Sequence, residues 1–386
     1  MPSALRFPTL SMLKLPLKRA HAEADVMLQR LRFPRTGPRV VIFPTNQPWD
    51  ASSNLRAWLV APQLRALGWR VIIAPQPMSL QQRRRLIRRE KPDVILLQQT
   101  RNVLNQPRFY APVPCVLDAD DADFLDPRHQ ERIAECARTA AAVIGGSRFV
   151  AQGLGRYNPN VHVIWTGTPR ELSPPGPPPA QRGQIVAWAH ATPLTYPSEA
   201  RFVQSVMTEV FRRRSCTFWL FGTHEEEARE WFAPLRAQGG TCVAIPPMSY
   251  TEYLDKVSHA AIGLQPIATD NPFSRGKSFG KLLAYLSGQV AVVASNTVDH
   301  PLFFLDGENG LLPDDDVHAW AQAIISLLDD PERRVRIAVQ GRHDFDRRLT
   351  TDVFARLLDP VLQKAAGLPN EAARAQSELR RQPSTG

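Results

Sequence analysis

The segment Arg170 to Gly183, RELSPPGPPPAQRG, divides the chain in two. Proline lacks an amide hydrogen and fixes φ, so this stretch continues neither a helix nor a central strand and reads as a linker. Before it, Arg39 to Phe43 is an apolar strand run. A loop of Pro44 to Ser53 then leads into a helix carrying Leu55, Leu59, Leu64 and Leu67, which ends at Gly68 ahead of a strand at Val71 to Ala74. That is one βαβ unit. After the linker, Gln184 to Ala189, Thr217 to Phe221, Cys242 to Ile245, Ala260 to Leu264 and Val290 to Ala294 are apolar runs separated by helical segments. Strands apolar along their whole length belong to parallel sheets covered on both faces, so the pattern predicts two doubly wound α/β halves facing each other. A length of 386 residues suits two domains of ordinary size. Ligands of such sheets sit at the carboxyl ends of the strands. The loops there are Asn46 to Ser53, His190 to Tyr196, Gly222 to His224 and Gln265 to Lys277.

One of those loops carries two lysines that need explaining. In NPFSRGKSFGKLLAYLSG, from Asn271, the residues Phe279, Leu282, Leu283 and Leu286 recur at helical spacing. This predicts a short helix starting near Ser278, capped by Ser274 or Ser278. Lys277 and Lys281 then fall at its first turn, where the helix already presents partial positive charge. Each added cation costs about 0.3–1 kcal/mol there unless an anion neutralises it, and a phosphate group would. A solvated basic corner is the plainer alternative.

Asp118, Asp120, Asp121, Asp123 and Asp126 form an acidic cluster after an apolar run. It lacks the glycine and distal glutamate of a calcium loop, so no metal site is assigned. Asp120 and Asp121, at a strand end, are candidates to contact a ligand hydroxyl, with helix capping and solvation as the other reading. The histidines show no HExxH-like spacing, no GxGxxG follows the first strand, and no GxxxxGK[ST] loop occurs. His190, directly after a strand, is the histidine placed near the cleft.

The order GKSFGKLLAYLSG, VAVVAS, DGENGLL resembles the donor-binding half of GT-B glycosyltransferases, especially family-four-like enzymes. PWDASSNLRAWLVAPQLRALGWRV, KPDVILLQ, VPCVLDADDADF, AAVIGGSRFVAQGL and VHVIWTGTP resemble successive parts of the acceptor half, and the resemblance covers roughly residues 39 to 345. It implies a GT-B fold, two Rossmann-like domains across an interdomain cleft. The implied plan is a basic arm (1–38), an acceptor domain (39–169), the linker (170–183) and a nucleotide-sugar donor domain (184–345). A helix crossing back (346–365) and a disordered tail (366–386) complete it.

The activity implied is metal-independent transfer of a sugar, with retained configuration, from a nucleotide diphosphate to an acceptor hydroxyl on a glycan or lipid-linked acceptor. The nucleotide sugar is a co-substrate, and no cofactor is implied. Lys277 and Lys281 would stabilise the departing diphosphate, Ser278 would add a donor, and Thr192 with His190 would approach from the neighbouring loop. The chain departs from the family at the usual pair of glutamates, whose positions hold Gly276 and Ala284. Gln289 replaces an expected glycine and Thr166 an expected asparagine. Ribose recognition must then come from elsewhere, with Glu308 as the candidate. The missing glutamates leave open a noncatalytic GT-B-like module that binds a nucleotide or glycan, and a sugar-nucleotide epimerase of the same fold is a third reading.

The net charge is +10, and residues 1 to 39 alone carry eight Lys and Arg against Glu23 and Asp25, a net +6. With Leu13, Leu15, Leu17, Met27, Leu28 and Leu31 interleaved, this arm reads as a segment lying on an anionic membrane or as a solvated tail. No nucleic-acid module is visible. The cluster Arg83, Arg84, Arg85, Arg88 and Arg89 reads as the outer face of a surface helix. No long apolar run, no signal-peptide order and four scattered cysteines predict a cytoplasmic protein, peripheral at most. The associated setting is surface polysaccharide or lipopolysaccharide assembly.

Overall fold

The computed structural model describes residues 10–33, 36–171, 176–277 and 279–369. Six parallel strands form the first sheet: β1 (Arg39–Phe43), β2 (Arg70–Ile73), β3 (Val94–Gln98), β4 (Cys115–Ala119), β5 (Ala142–Gly145) and β6 (Val161–Val163), in the order β2-β1-β3-β4-β5-β6. Five parallel strands form the second: β7 (Ile185–Ala189), β8 (Thr217–Phe221), β9 (Thr241–Ile245), β10 (Ile262–Gln265) and β11 (Ala291–Ala294), in the order β11-β10-β7-β8-β9. Both orders reverse direction beside the first strand of the sheet, which opens the crevice that doubly wound folds use for ligands.

The first half carries α1 (Leu10–Arg32), α2 (Ala51–Ser53), α3 (Val60–Ala66), α4 (Leu80–Glu90), α5 (Gln130–Thr139) and α6 (Arg148–Gly155). The second carries α7 (Pro197–Arg213), α8 (Glu225–Arg236), α9 (Tyr250–Val257), α10 (Leu282–Ser287), α11 (Val317–Asp329) and α12 (Pro331–Arg348), followed by α13 (Thr351–Ala365). Val41, Phe43, Ile95, Leu97 and Leu117 point to one face of the first sheet and Val40, Ile42, Val94, Leu96 and Val116 to the other, and both sets are buried. Double-sided burial is why these strands read as unbroken apolar runs.

The last helix does not stay with the second half. Phe354, Leu358, Val361 and Leu362 of α13 complete the core on the β1 and β3 side of the first sheet. Behind it lies Arg56, fully buried, whose guanidinium bridges Asp118 and donates to Thr166 Oγ1 (2.7 Å) while stacking on the Phe354 ring. Burial alone would lower the pKa of this guanidinium, but the Asp118 carboxylate raises it above its ordinary value.

Two basic segments differ from the sequence expectation. Arg83 is fully buried, donating to Asn105 Oδ1 (2.8 Å) and to Tyr110 Oη (3.2 Å) over the Phe43 ring. It is therefore not part of the outer face, because α4 turns that position inward beside Leu86 and Glu90. The arm is no tail from Leu10 onward, since Ala22 and Val26 of α1 are buried in the first core and Gln29 bonds both Ile73 backbone groups at 3.0 Å. Residues 1–9 of the arm and 370–386 of the tail lie outside the described residues. No described helix is long and apolar enough to cross a membrane.

Candidate functional site

The carboxyl ends of the two sheets face each other across a cavity of about 390 Å³. From the first half it is lined by Trp49, Ser52, Leu55, Asp120, Asp121 and Thr166, and from the second by His190, Gly222, Lys277 and Lys281 together with an aromatic wall of Phe221, Tyr250 and Tyr253. Gly222 has φ +87°, and a Cβ there would sit 1.9 Å from the His190 carbonyl oxygen, so a glycine is what lets the β8 loop close against the β7 loop.

The lysine segment folds differently from its expectation. Pro272 to Gly276 is a 3-10 turn opened by Asn271, whose side chain accepts from the Phe273 amide (3.0 Å). The α-helix begins only at Leu282, with Lys281 at its N-cap, and Ser274 is buried rather than capping it. Phe279 is the cause: it is sunk in the second core, 4.7 Å from the Trp165 ring, and holds the chain extended at Lys277 before the helix starts. A helix of six residues has little macrodipole, so the two ammonium groups themselves, not the helix end, define the positive site. Ser278 lies outside the described residues.

Lys277 crosses the cleft to Asp121 (Nζ to Oδ1, 3.0 Å) and lies over the Phe273 ring. Burial would lower its pKa, yet Asp121 raises it above the ordinary lysine value. Lys281, whose ammonium makes no hydrogen bond or ion pair among the described residues, is pulled down to about 8 by burial and then by Lys277. Asp121, half-buried but bonded to Lys277 and to Arg101 (2.7 Å), titrates below its usual range. Asp120 beside it is pushed up to about 6 by burial and by the Asp121 charge, with Gln99 Nε2 donating to it. Gln99 reaches Asp120 from a left-handed backbone position (φ 53°) at the end of β3. Non-glycine residues held at positive φ concentrate where a side chain has to be aimed.

His190 lines the cavity, its ring centroid 4.2 Å from that of Tyr196. Burial, then Lys281 and Lys277, hold it neutral, with a pKa of about 2. The Thr192 amide donates to its Nδ1 (3.1 Å), which puts the ring hydrogen on Nε2. Thr192 is itself exposed and does not line the cavity, so it orients His190. Glu308 is exposed in the turn after Asp306 and lines neither this cavity nor the smaller one beside it.

The absent glutamates have a steric reason. A Cβ on Gly276 would lie 2.8 Å from Ala122 Cβ of the other half, and Ala284 is fully buried in the second core. Neither position reaches the cavity. Tyr285, the next residue of α10, accepts from the Ala189 amide (2.7 Å) and donates to the Ala187 carbonyl (3.1 Å), which pins α10 to β7. Glu199 and Gln265, which the sequence reading did not single out, lie beside the lysines; Glu199 is a carboxylate in the first turn of α7, and Gln265 closes β10 at the head of a loop predicted to lie at the strand ends. Trp49, 74% exposed at the cavity rim, fell within the loop predicted to face the cleft but was not distinguished there. The acidic cluster is engaged by basic groups: Asp118 by Arg56, Asp123 by Arg101 and Asp126 by Arg128. Among the described residues no three His, Cys, Asp or Glu are grouped to hold a metal ion.

Two facing Rossmann-like domains with the ligand crevice between them are the GT-B fold. Sucrose-phosphate synthase from Thermosynechococcus elongatus has it, superposing with a TM-score of 0.64 at 13% identity over 85% of this chain and 99% of that one. A glycosyltransferase from Rickettsia africae ESF-5 gives 0.63 at 12% identity over 86% and 99%. Anabaena HepE, solved with UDP and glucose, gives 0.58 at 13% over 85% and 100%. No family model matches the sequence. No curated protein matches it either.

Proposed function

We propose that the protein is a glycosyltransferase that moves a sugar from a nucleotide diphosphate to an acceptor hydroxyl. The observation that carries this is the lysine pair: two ammonium groups close enough to depress Lys281, facing one cleft from the second domain. Such a pair is matched by a ligand of two or more negative charges, and a diphosphate leaving group develops that charge as the sugar bond breaks. That the solved neighbours include one bound to UDP and glucose and one bound to UDP-glucose supports the same class of donor. Retained configuration and independence from metal follow from the family resemblance. Asp120 and Asp121, opposite the lysines, would orient the acceptor hydroxyl, and the neutral His190 would donate through Nε2 to the donor. The aromatic wall of Phe221, Tyr250 and Tyr253 offers a surface for the nucleobase.

The test is a thermal-shift and donor-hydrolysis screen with nucleotide sugars, with and without EDTA. Lys277→Ala and Lys281→Ala are each expected to lower turnover by about two orders of magnitude, the effect of removing one preorganised transition-state contact. Binding without turnover in the presence of acceptors would assign the noncatalytic module instead.

We also propose that α1 rests on the cytoplasmic face of an anionic membrane, which suits a glycan or lipid-linked acceptor and a role in surface polysaccharide assembly. Its inner face is docked through Ala22 and Val26, while Leu17, Leu28 and Leu31 are 65–73% exposed along the opposite face. Arg85 of α4 reaches Glu23 of α1 (3.6 Å), so an exposed arginine of α4 lies beside this helix. An apolar stripe with basic edges is the pattern of an interfacial helix.

A further inference from the structure

A smaller cavity of about 50 Å³ opens behind the lysine pair and shares His190, Lys277, Gly280 and Lys281 with the main cleft. It holds a hydroxymethyl group or a few water-sized groups, not a ring. Its inner wall is Trp188, Glu199, Gln265 and Ser274. Gln265 is 8% exposed, and its Oε1 accepts no hydrogen bond among the described residues. Glu199 is equally buried; its Oε1 accepts from Ser274 Oγ and from the Ala268 amide, both at 3.3 Å. Two buried side chains that carry acceptors therefore border a space that Lys281 closes on the cleft side. A buried acceptor without a donor is costly, so the group that fits this space is one that brings hydrogens.

The diphosphate of a nucleotide sugar brings none at neutral pH, and any anion would meet the Glu199 carboxylate. A neutral hydroxyl donates to Gln265 or Glu199 while accepting from Lys281. We infer that this annexe receives a hydroxyl-bearing arm of the donor sugar and selects neutral hexoses over uronic acids. The inference rests on the reading of the cleft as a nucleotide-sugar site. It places Glu199 and Gln265 as specificity residues, beside the diphosphate contacts of Lys277 and Lys281. A site built to hydrogen-bond a hydroxyl discriminates strongly, because the wrong substrate leaves its polar groups unpaired.

The experiment is calorimetric titration of the full chain with UDP, UDP-glucose and UDP-glucuronate, with GDP and GDP-mannose run beside them. The hexose nucleotide is expected to bind about tenfold tighter than its nucleotide alone and than the uronate. Glu199→Ala and Gln265→Leu should each erase that advantage and leave affinity for the nucleotide alone unchanged. Reading the advantage within each variant cancels any general loss of fold. If a nucleotide binds but the uronate does as well as the hexose, or the advantage survives in both variants, the annexe has no such role. If no nucleotide binds at all, the reading of the cleft itself falls, and this inference with it.

Discussion

Lys277 and Asp121 join the two domains through a 3.0 Å contact that spans the cleft, so the cation proposed to hold the donor already has an anion from the opposite half. Donor binding must displace that carboxylate or share the lysine with it. Asp121→Asn is expected to tighten UDP binding by about threefold, a modest gain because the pair is partly solvated and Arg101 remains. Titration calorimetry at low and high salt checks this; unchanged affinity would mean that the contact and the donor do not compete.

Lys281 titrates at about 8 in the structure against 10.5 in the unfolded chain. It is thus about nine-tenths charged at pH 7 and about one-tenth at pH 9, so UDP affinity should fall about tenfold across that interval. Lys281→Arg, which keeps its charge throughout, should flatten the profile. The stability consequence has the opposite sense: a base with a lowered folded pKa contributes stability present above pH 10.5 and lost as pH falls through 8.

Asp120 is raised from 3.8 to about 6, so its contribution to stability is present below pH 3.8 and lost as pH rises through 6. Asp120→Asn removes that loss. The variant should melt roughly 2–4 °C higher than the parent at pH 8 and no higher at pH 4, by calorimetry. Acceptor transfer should fall while donor hydrolysis persists if Asp120 orients the acceptor hydroxyl.

The pair of Arg56 and Asp118 has no solvent to fall back on. Asp118→Asn leaves a buried guanidinium short of its counter-charge and is expected to cost about 3–5 kcal/mol in urea denaturation. Phe354→Ala should cost a similar amount by opening a cavity under the same guanidinium.

Leu28→Glu combined with Leu31→Glu replaces two exposed side chains on α1 and should leave the melting temperature unchanged. Co-sedimentation with vesicles containing phosphatidylglycerol should be lost, and neutral phosphatidylcholine vesicles should bind neither form. Self-association of the parent through α1, disrupted by the same change, would reassign the stripe to a protein contact.

Much of the architecture was legible because parallel strands advertise themselves. Val40 to Phe43 and Val290 to Ala294 are apolar without a break, and the glycines and prolines around them leave few alternatives. The lysine segment was legible in composition and not in backbone. Helical spacing of Phe279 with Leu283 is real, with the Leu283 amide bonding the Phe279 carbonyl (3.0 Å), but the regular helix starts later because Phe279 is anchored in the core. Arg83 was misread for a general reason: a charge run shows its average exposure, whereas one arginine can turn inward to bond Asn105 and Tyr110. Glu199 and Gln265 acquire meaning only from neighbours more than sixty residues away, Ser274 for the first and the β7 loop for the second.

The position of α13 bears on how the chain is made. Phe354, Leu358 and Leu362 belong to the core laid down by residues 40 to 144, yet they are synthesised after the whole second domain. On the ribosome the first domain stays open along the face of Val40 and Val94 until nearly the last residues of the described chain emerge. Its final closure is therefore a late, long-range event, and a nascent chain stalled within the second domain would present that apolar face to chaperones and proteases.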